Sequence, residues 1–303
     1  MRGAYPHMKE ANMEFEGANE TDMATGMAKV MAALPRFLER LGMAEMPMGL
    51  FYTDKEPKEG FSPQPLERPT PEREQRGEVN WLAVFGGFSC IIGTIWRARK
   101  KNTTAWFSAD RYGCPGGSFF LGFHGPQTET IIHYVSTGIP NFSEGERYCE
   151  SPDALRRIFA ITDPRPAPKP YCVIKPLDQF TEDEQPELVL CFARPEPLCG
   201  LHQLATFVTG DPEVVASPWS AACGGAVTWP LRYKEKGQLR AVLGGWDPSA
   251  RKFLKTDELF FSIPAALFRT MVLRAPESFL MTHTWDTVLK KARRSAKTWG
   301  EES

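Results

Sequence analysis

The chain has 303 residues, 42% of them hydrophobic and 24% charged, with 36 Lys and Arg against 37 Asp and Glu for a net charge of −1. A near-neutral balance creates no overall field toward nucleic acid or an anionic membrane surface, so neither is expected as a partner. No apolar run reads as a bilayer span of roughly 20 residues, and the polar N-terminus lacks the apolar core of a secretory signal. The expected location is cytoplasmic.

Residues 1–25 are polar and Met-rich without periodicity and read as a flexible tail. Met31, Leu34, Phe37 and Leu41 then recur at helical spacing, with Pro35 inside the stripe as a possible first turn and Gly42 as its end. A strand follows at 48–53, "MGLFYT". The stretch 55–78 is crowded with proline and charge and reads as an insertion within a single domain spanning 26–278. Strands are expected at 79–85 and 103–109, with a helix over 88–101 between them. A further strand is expected at 130–136. Ser151, Pro152 and Asp153 are a strong helix start. Strands at 171–177 and 187–193 precede a helix closed by Gly210. Strands at 239–245 and 259–263 and a helix over 264–275 complete the domain, and a basic helix occupies 279–303. The irregular alternation implies an α+β (mixed α/β) fold, one large domain with a mixed sheet flanked by helices.

Seven cysteines occur, at 90, 114, 149, 172, 191, 199 and 223. With no signal segment and no CxxC, they read as reduced thiols, and any metal would need ligands from distant segments. Cys172, Cys191 and Cys199 sit among aliphatic residues and read as core. The other signal is an association of glycine pairs with cysteine, in "FGGFSC", "CPGGSF" and "CGGAV", while a fourth pair precedes Trp246 in "LGGWD".

At "DRYGCPGGSFFLGF", Cys114 occupies a helix N-cap position and Pro115 the first turn, with Gly116 and Gly117 behind it. Each glycine there costs roughly 1 kcal/mol of helix propensity relative to Ala, so something must offset it. One reading is a bare first turn that binds an anion or cofactor and lowers the Cys114 thiol pKa, making Cys114 a candidate nucleophile. The other is strand-to-helix packing too tight for a side chain. Cys90 shares a helix side with Thr94 and Arg97, and Cys223 stands beside Gly224 and Gly225, the first of which is placed to end a short helix starting at Ser217. Downstream, Arg251 could clamp a carboxylate or phosphate. No HExxH, GxSxG, GxGxxG or GxxxxGK[ST] pattern occurs.

These readings converge on one pocket. Cys90, Cys114 and Cys223 are candidate metal ligands, and Gly116, Gly117, Gly224, Gly225, Trp246 and Arg251 candidate binding residues. A metal- or cofactor-binding protein is expected, and an iron–sulfur cluster or another thiolate-bound metal would suit the thiols. A module for a small or anionic ligand without metal, or a thiol enzyme using Cys114, stays open beside it, and so does whether the protein is an enzyme at all.

"FYTDKEP", "SADRYGCPGGSFFLGF", "PELVLCFARPEPLCGLHQLATF", "ASPWSAACGGAV" and "SARKFLKTDELFFSIP" occur in an order that resembles the family of domain of unknown function 169, over about residues 30 to 275. The resemblance implies a cytoplasmic prokaryotic family with no assigned reaction, and cysteines at positions matching 90, 114 and 223. It also implies a fourth cysteine after the last glycine pair, where this chain has Trp246. A complete four-thiolate site is thereby put in doubt.

Overall fold

A computed structural model of the chain describes residues 20–125 and 127–298. Most of the expected tail, residues 1–19, lies outside the described residues, and the first described helix begins at Glu20.

Helix α1 (Glu20–Leu41) runs through Pro35, which does not start it. Its apolar stripe, Val30, Leu34, Phe37 and Leu41, is buried, and Gly42 beyond it takes φ 74°. After β1 (Met48–Thr53) come two short helices, α2 (Pro71–Gln75) and α3 (Trp81–Gly86), then α4 (Ile91–Lys101) and β2 (Ala105–Phe107). Next are α5 (Pro115–Phe120), α6 (Glu129–Val135) and α7 (Pro152–Thr162). Strands β3 (Tyr171–Pro176) and β4 (Leu188–Ala193) lead into α8 (Pro195–Thr209), capped by Gly210 at φ 65°. Strand β5 (Val215–Ala216) precedes a π-helical turn, Gly224–Thr228, continuous with α9 (Trp229–Glu235). Strand β6 (Ala241–Gly244), α10 (Pro248–Arg251), β7 (Leu259–Pro264), α11 (Ala265–Arg274) and α12 (His283–Thr298) complete the order.

Seven strands form one sheet in the order β2-β3-β1-β4-β7-β6-β5, antiparallel except for the β5–β6 pair. The fold is α+β, a mixed sheet covered by helices on both faces. Strand β4 shows why. Leu188, Leu190 and Phe192 face α4, α5 and the π turn, while Val189, Cys191 and Ala193 face α1, α8 and α11. A strand buried on both sides reads as an unbroken apolar run. The segment 55–78 lies along the β2 edge, where the Phe61 and Leu66 amides donate to the Thr104 and Asp110 carbonyls.

Two expected strands are helices. At 79–85 the Asn80 side chain accepts from the Ala83 amide and opens α3, and at 130–136 Thr128 does the same for Ile131 and α6. Short apolar runs carry no period that separates strand from helix, and the caps decide. Gly224 likewise begins a π turn and does not end a helix. Cys172 and Cys191 are core, but Cys199 lies on the exposed side of α8. The stretch Trp81–Lys101 is long and apolar enough by composition to cross a bilayer. The chain breaks it between Gly86 and Ile91, and α4 buries Ile91, Ile92 and Ile95 in the core instead.

Candidate functional site

A cavity of about 1070 Å³ opens on the α4 and α5 side of the sheet. The chain starts α4 at Cys90 and α5 at Cys114, and both starts are held together by backbone: the Ser89 amide donates to the Gly113 carbonyl at 2.9 Å. Gly113 takes φ 78°, and a Cβ there would meet the Ser89 carbonyl oxygen at 2.6 Å, so only glycine permits this approach. Tyr52 donates to the Leu121 carbonyl at 3.0 Å and Thr228 to the Phe120 carbonyl at 2.7 Å, fixing α5 against β1 and the π turn.

Cys90, Cys114 and Cys223 all line this cavity. The three thiols also feel one another: burial pushes each pKa up first, and Cys90 adds to the rise of Cys114, while Cys114 and Cys90 add to that of Cys223. Cys114 does accept from the Gly117 amide, at 3.3 Å. Yet burial outweighs that donor and lifts the thiol to about 12, opposite to the lowered value expected of a helix-start nucleophile. Among the described residues, no three of His, Cys, Asp or Glu form a group able to hold a metal ion. The thiols share a cavity without forming a coordination sphere, so the residues present do not fit the expected cluster.

The glycines divide by what lies beside them. A Cβ on Gly117 would meet the Tyr112 carbonyl oxygen at 2.5 Å and Ile91 at 2.8 Å, and one on Gly224 would meet Phe120 at 2.8 Å. Gly225 faces Phe260 at 3.3 Å. These three serve packing within the fold. Gly116 differs: the nearest atom to its Cβ position is the Cys114 sulfur at 3.9 Å, and the position opens on the cavity.

Arg251 is committed elsewhere. It donates to the Glu258, Lys255 and Thr256 carbonyls at 2.6, 2.8 and 2.9 Å, pinning its own loop, and does not line the cavity. The loop it pins presents Trp246, 58% exposed, whose indole N–H donates to Ser217 Oγ at 2.9 Å. Asp247 follows, accepting from the Ala222 amide at 3.0 Å and the Ser249 amide at 2.9 Å, so one carboxylate ties the loop to the turn before Cys223.

Glu146 was not legible in the sequence. It reaches the cavity from the loop after α6 and accepts from Ser249 Oγ at 2.7 Å through one carboxylate oxygen; among the described residues the other oxygen has no hydrogen-bond partner. Burial raises its pKa, with Asp247 adding to the rise. Tyr148, bonded to the same serine hydroxyl at 3.1 Å, stands beside it. The local sequence, "SEGERYCESP", carries no motif that would single out this glutamate.

A model of the family domain of unknown function 169, described as Uncharacterised ArCR, matches residues 36–274. No curated protein and no solved structure matches the chain.

Proposed function

The chain belongs to the family of domain of unknown function 169, which is uncharacterised, and from that premise we propose that it is a small-molecule-binding protein whose ligand occupies the cavity lined by Cys90, Cys114 and Cys223. The observation that carries this reading is the cavity itself. Its volume of about 1070 Å³ matches the upper range of drug- and cofactor-sized sites, and its walls combine aromatic and apolar side chains with a few converging polar groups. The Gly116 position supports it further, because a glycine with open space in a helix's first turn has no packing reason to persist. The thiols act as neutral, polarisable wall atoms, not as thiolates.

The test uses N-phenyl-1-naphthylamine, a neutral fluorophore. It is expected to bind once per chain, to be excluded by Gly116→Trp, and to slow further the alkylation of Cys90, Cys114 and Cys223, already slow because their pKa values are raised, while exposed Cys199 stays reactive. Binding that leaves those three thiols as reactive as before, or survives Gly116→Trp in a folded variant, would refute the assignment.

A further inference from the structure

The cavity is lined by two exposed aromatic rings and by two cations that, among the described residues, have no carboxylate partner. Trp246 and Trp219 line it and are 58% and 47% exposed. Trp246 is not a loose surface ring: its N–H is fixed on Ser217 Oγ, which itself donates to the Leu243 carbonyl at 3.0 Å. Two exposed aromatic rings lining one cavity, one of them fixed by its N–H, offer a stacking surface.

The cations come from different elements. Arg97 lies one and two turns beyond Thr94 and Cys90 on α4, and all three line the cavity. Lys252 is brought to the same helix because its neighbour Phe253 packs over Gly93, where a Cβ would lie 2.8 Å from the ring. Lys252 rests its ammonium over Phe253 at 5.2 Å. Among the described residues no carboxylate stands within ion-pair distance of Arg97 or Lys252, whereas Arg99, two residues along and so on α4's other side, is paired with both Glu45 and Glu258. The acids of the cavity make their hydrogen bonds to other groups and not to these cations. Both Asp247 oxygens accept backbone amides, and Glu146 accepts Ser249.

We propose that the ligand is a planar heteroaromatic ring bearing a phosphate-like anion, the ring stacking on Trp246 and Trp219 and the anion meeting Arg97 and Lys252. The guanidinium offers a planar fork to an oxyanion and the ammonium a point charge, a pairing suited to a phosphate ester. The proposal rests on the cavity reading above and adds the chemistry of the occupant.

The experiment is displacement of N-phenyl-1-naphthylamine by two matched pairs, FMN with riboflavin and AMP with adenosine, on the full chain. At least one nucleotide is expected to bind about tenfold or more tightly than its own nucleoside, the scale of a charge-assisted contact with two cations. Arg97→Gln combined with Lys252→Gln should erase that gap and leave the nucleoside's binding in place. Trp246→Leu should weaken both members of the pair, by about tenfold, within the range for loss of one stacking ring. All three side chains project from the surface, and far-ultraviolet circular dichroism checks that the variants fold.

Nucleotides that both bind no better than their nucleosides, a gap that survives loss of both cations, or failure of both nucleotides to displace the probe would overturn the proposal while the cavity reading stands. If the naphthylamine itself does not bind, the cavity reading falls and this inference with it.

Discussion

Replacing the two glycines of the Cys-Pro-Gly-Gly corner one at a time should give opposite results. Neither has positive φ, so Ala can adopt the backbone of both. At Gly116 the new methyl meets nothing nearer than the Cys114 sulfur at 3.9 Å, an ordinary contact. Gly116→Ala should therefore stabilise by about 0.5–1 kcal/mol, through better helix propensity and a less flexible unfolded chain. At Gly117 the methyl would stand 2.5 Å from the Tyr112 carbonyl oxygen and 2.8 Å from Ile91 Cδ1. Backbone cannot swing aside as a side chain can, so overpacking of about 1–3 kcal/mol should outweigh the propensity gain. The two variants should then differ by about 2 kcal/mol, or ~0.7 M in the urea midpoint at a slope near 3 kcal/mol/M. Equilibrium urea unfolding followed by tryptophan fluorescence measures both midpoints at unchanged slope. A Gly116→Ala variant that loses as much stability as Gly117→Ala would show that residue 116 is a packing glycine and that no open space lies beside Cys114.

Cys114, held as a neutral thiol with a pKa near 12, should react with iodoacetamide far more slowly at pH 8 than exposed Cys199; equal rates by mass spectrometry would contradict the raised pKa. Because the folded thiol's pKa lies above the unfolded value of about 8.5, the unfolded chain binds fewer protons above that pH. Stability should thus fall as pH rises from about 8.5 toward 12, and a flat alkaline profile in urea unfolding would count against the raised thiols. Glu258→Ala leaves Arg99, whose side chain is only 8% exposed, without its innermost partner at 2.7 Å. A loss of about 3 kcal/mol is expected by the same unfolding measurement, and a loss below about 1 kcal/mol would show the pair to be solvent-screened. Asp247→Ala removes acceptors for two backbone amides and should cost about 1–2 kcal/mol while also weakening naphthylamine binding, since the Trp246 loop and the turn before Cys223 lose their tie. Weakened stability with probe affinity unchanged would show that the tie does not shape the cavity.

The layers of the fold were legible where period and caps agreed. Ser151, Pro152 and Gly210 bounded α7 and α8 as expected, and the continuous apolar run of β4 signalled a strand covered on both faces. The failures at α3 and α6 share a cause. Each is a short run rich in Val, Ile and aromatics, and its helical state depends on one side-chain cap, at Asn80 and Thr128, that periodicity does not register. Cys199 was misplaced because Leu198 and Leu201 beside it are buried while the helix turns residue 199 outward.

The association of glycine pairs with cysteines located the site, but for a reason only partly chemical. Gly117 and Gly224 leave no room for a side chain, and Gly225 little, because helix starts, the π turn and the sheet approach one another closely. That convergence delivers Cys90, Cys114 and Cys223 to one cavity. The thiols are neighbours because the backbones are, and the glycines report the packing that makes them so. Glu146 and Tyr148, by contrast, arrive from a loop with no such constraint on its sequence, so their place beside Ser249 becomes visible only once α6 and α10 have been set against each other. Chemistry supplied by the rigid corner was therefore readable as a pattern, and chemistry supplied by the loop was not. The same division tells which substitutions to trust as probes: those at the packing glycines alter the fold and the cavity together, whereas those at Gly116, Trp246, Arg97 and Lys252 change the cavity or its mouth and leave the layers beneath in place.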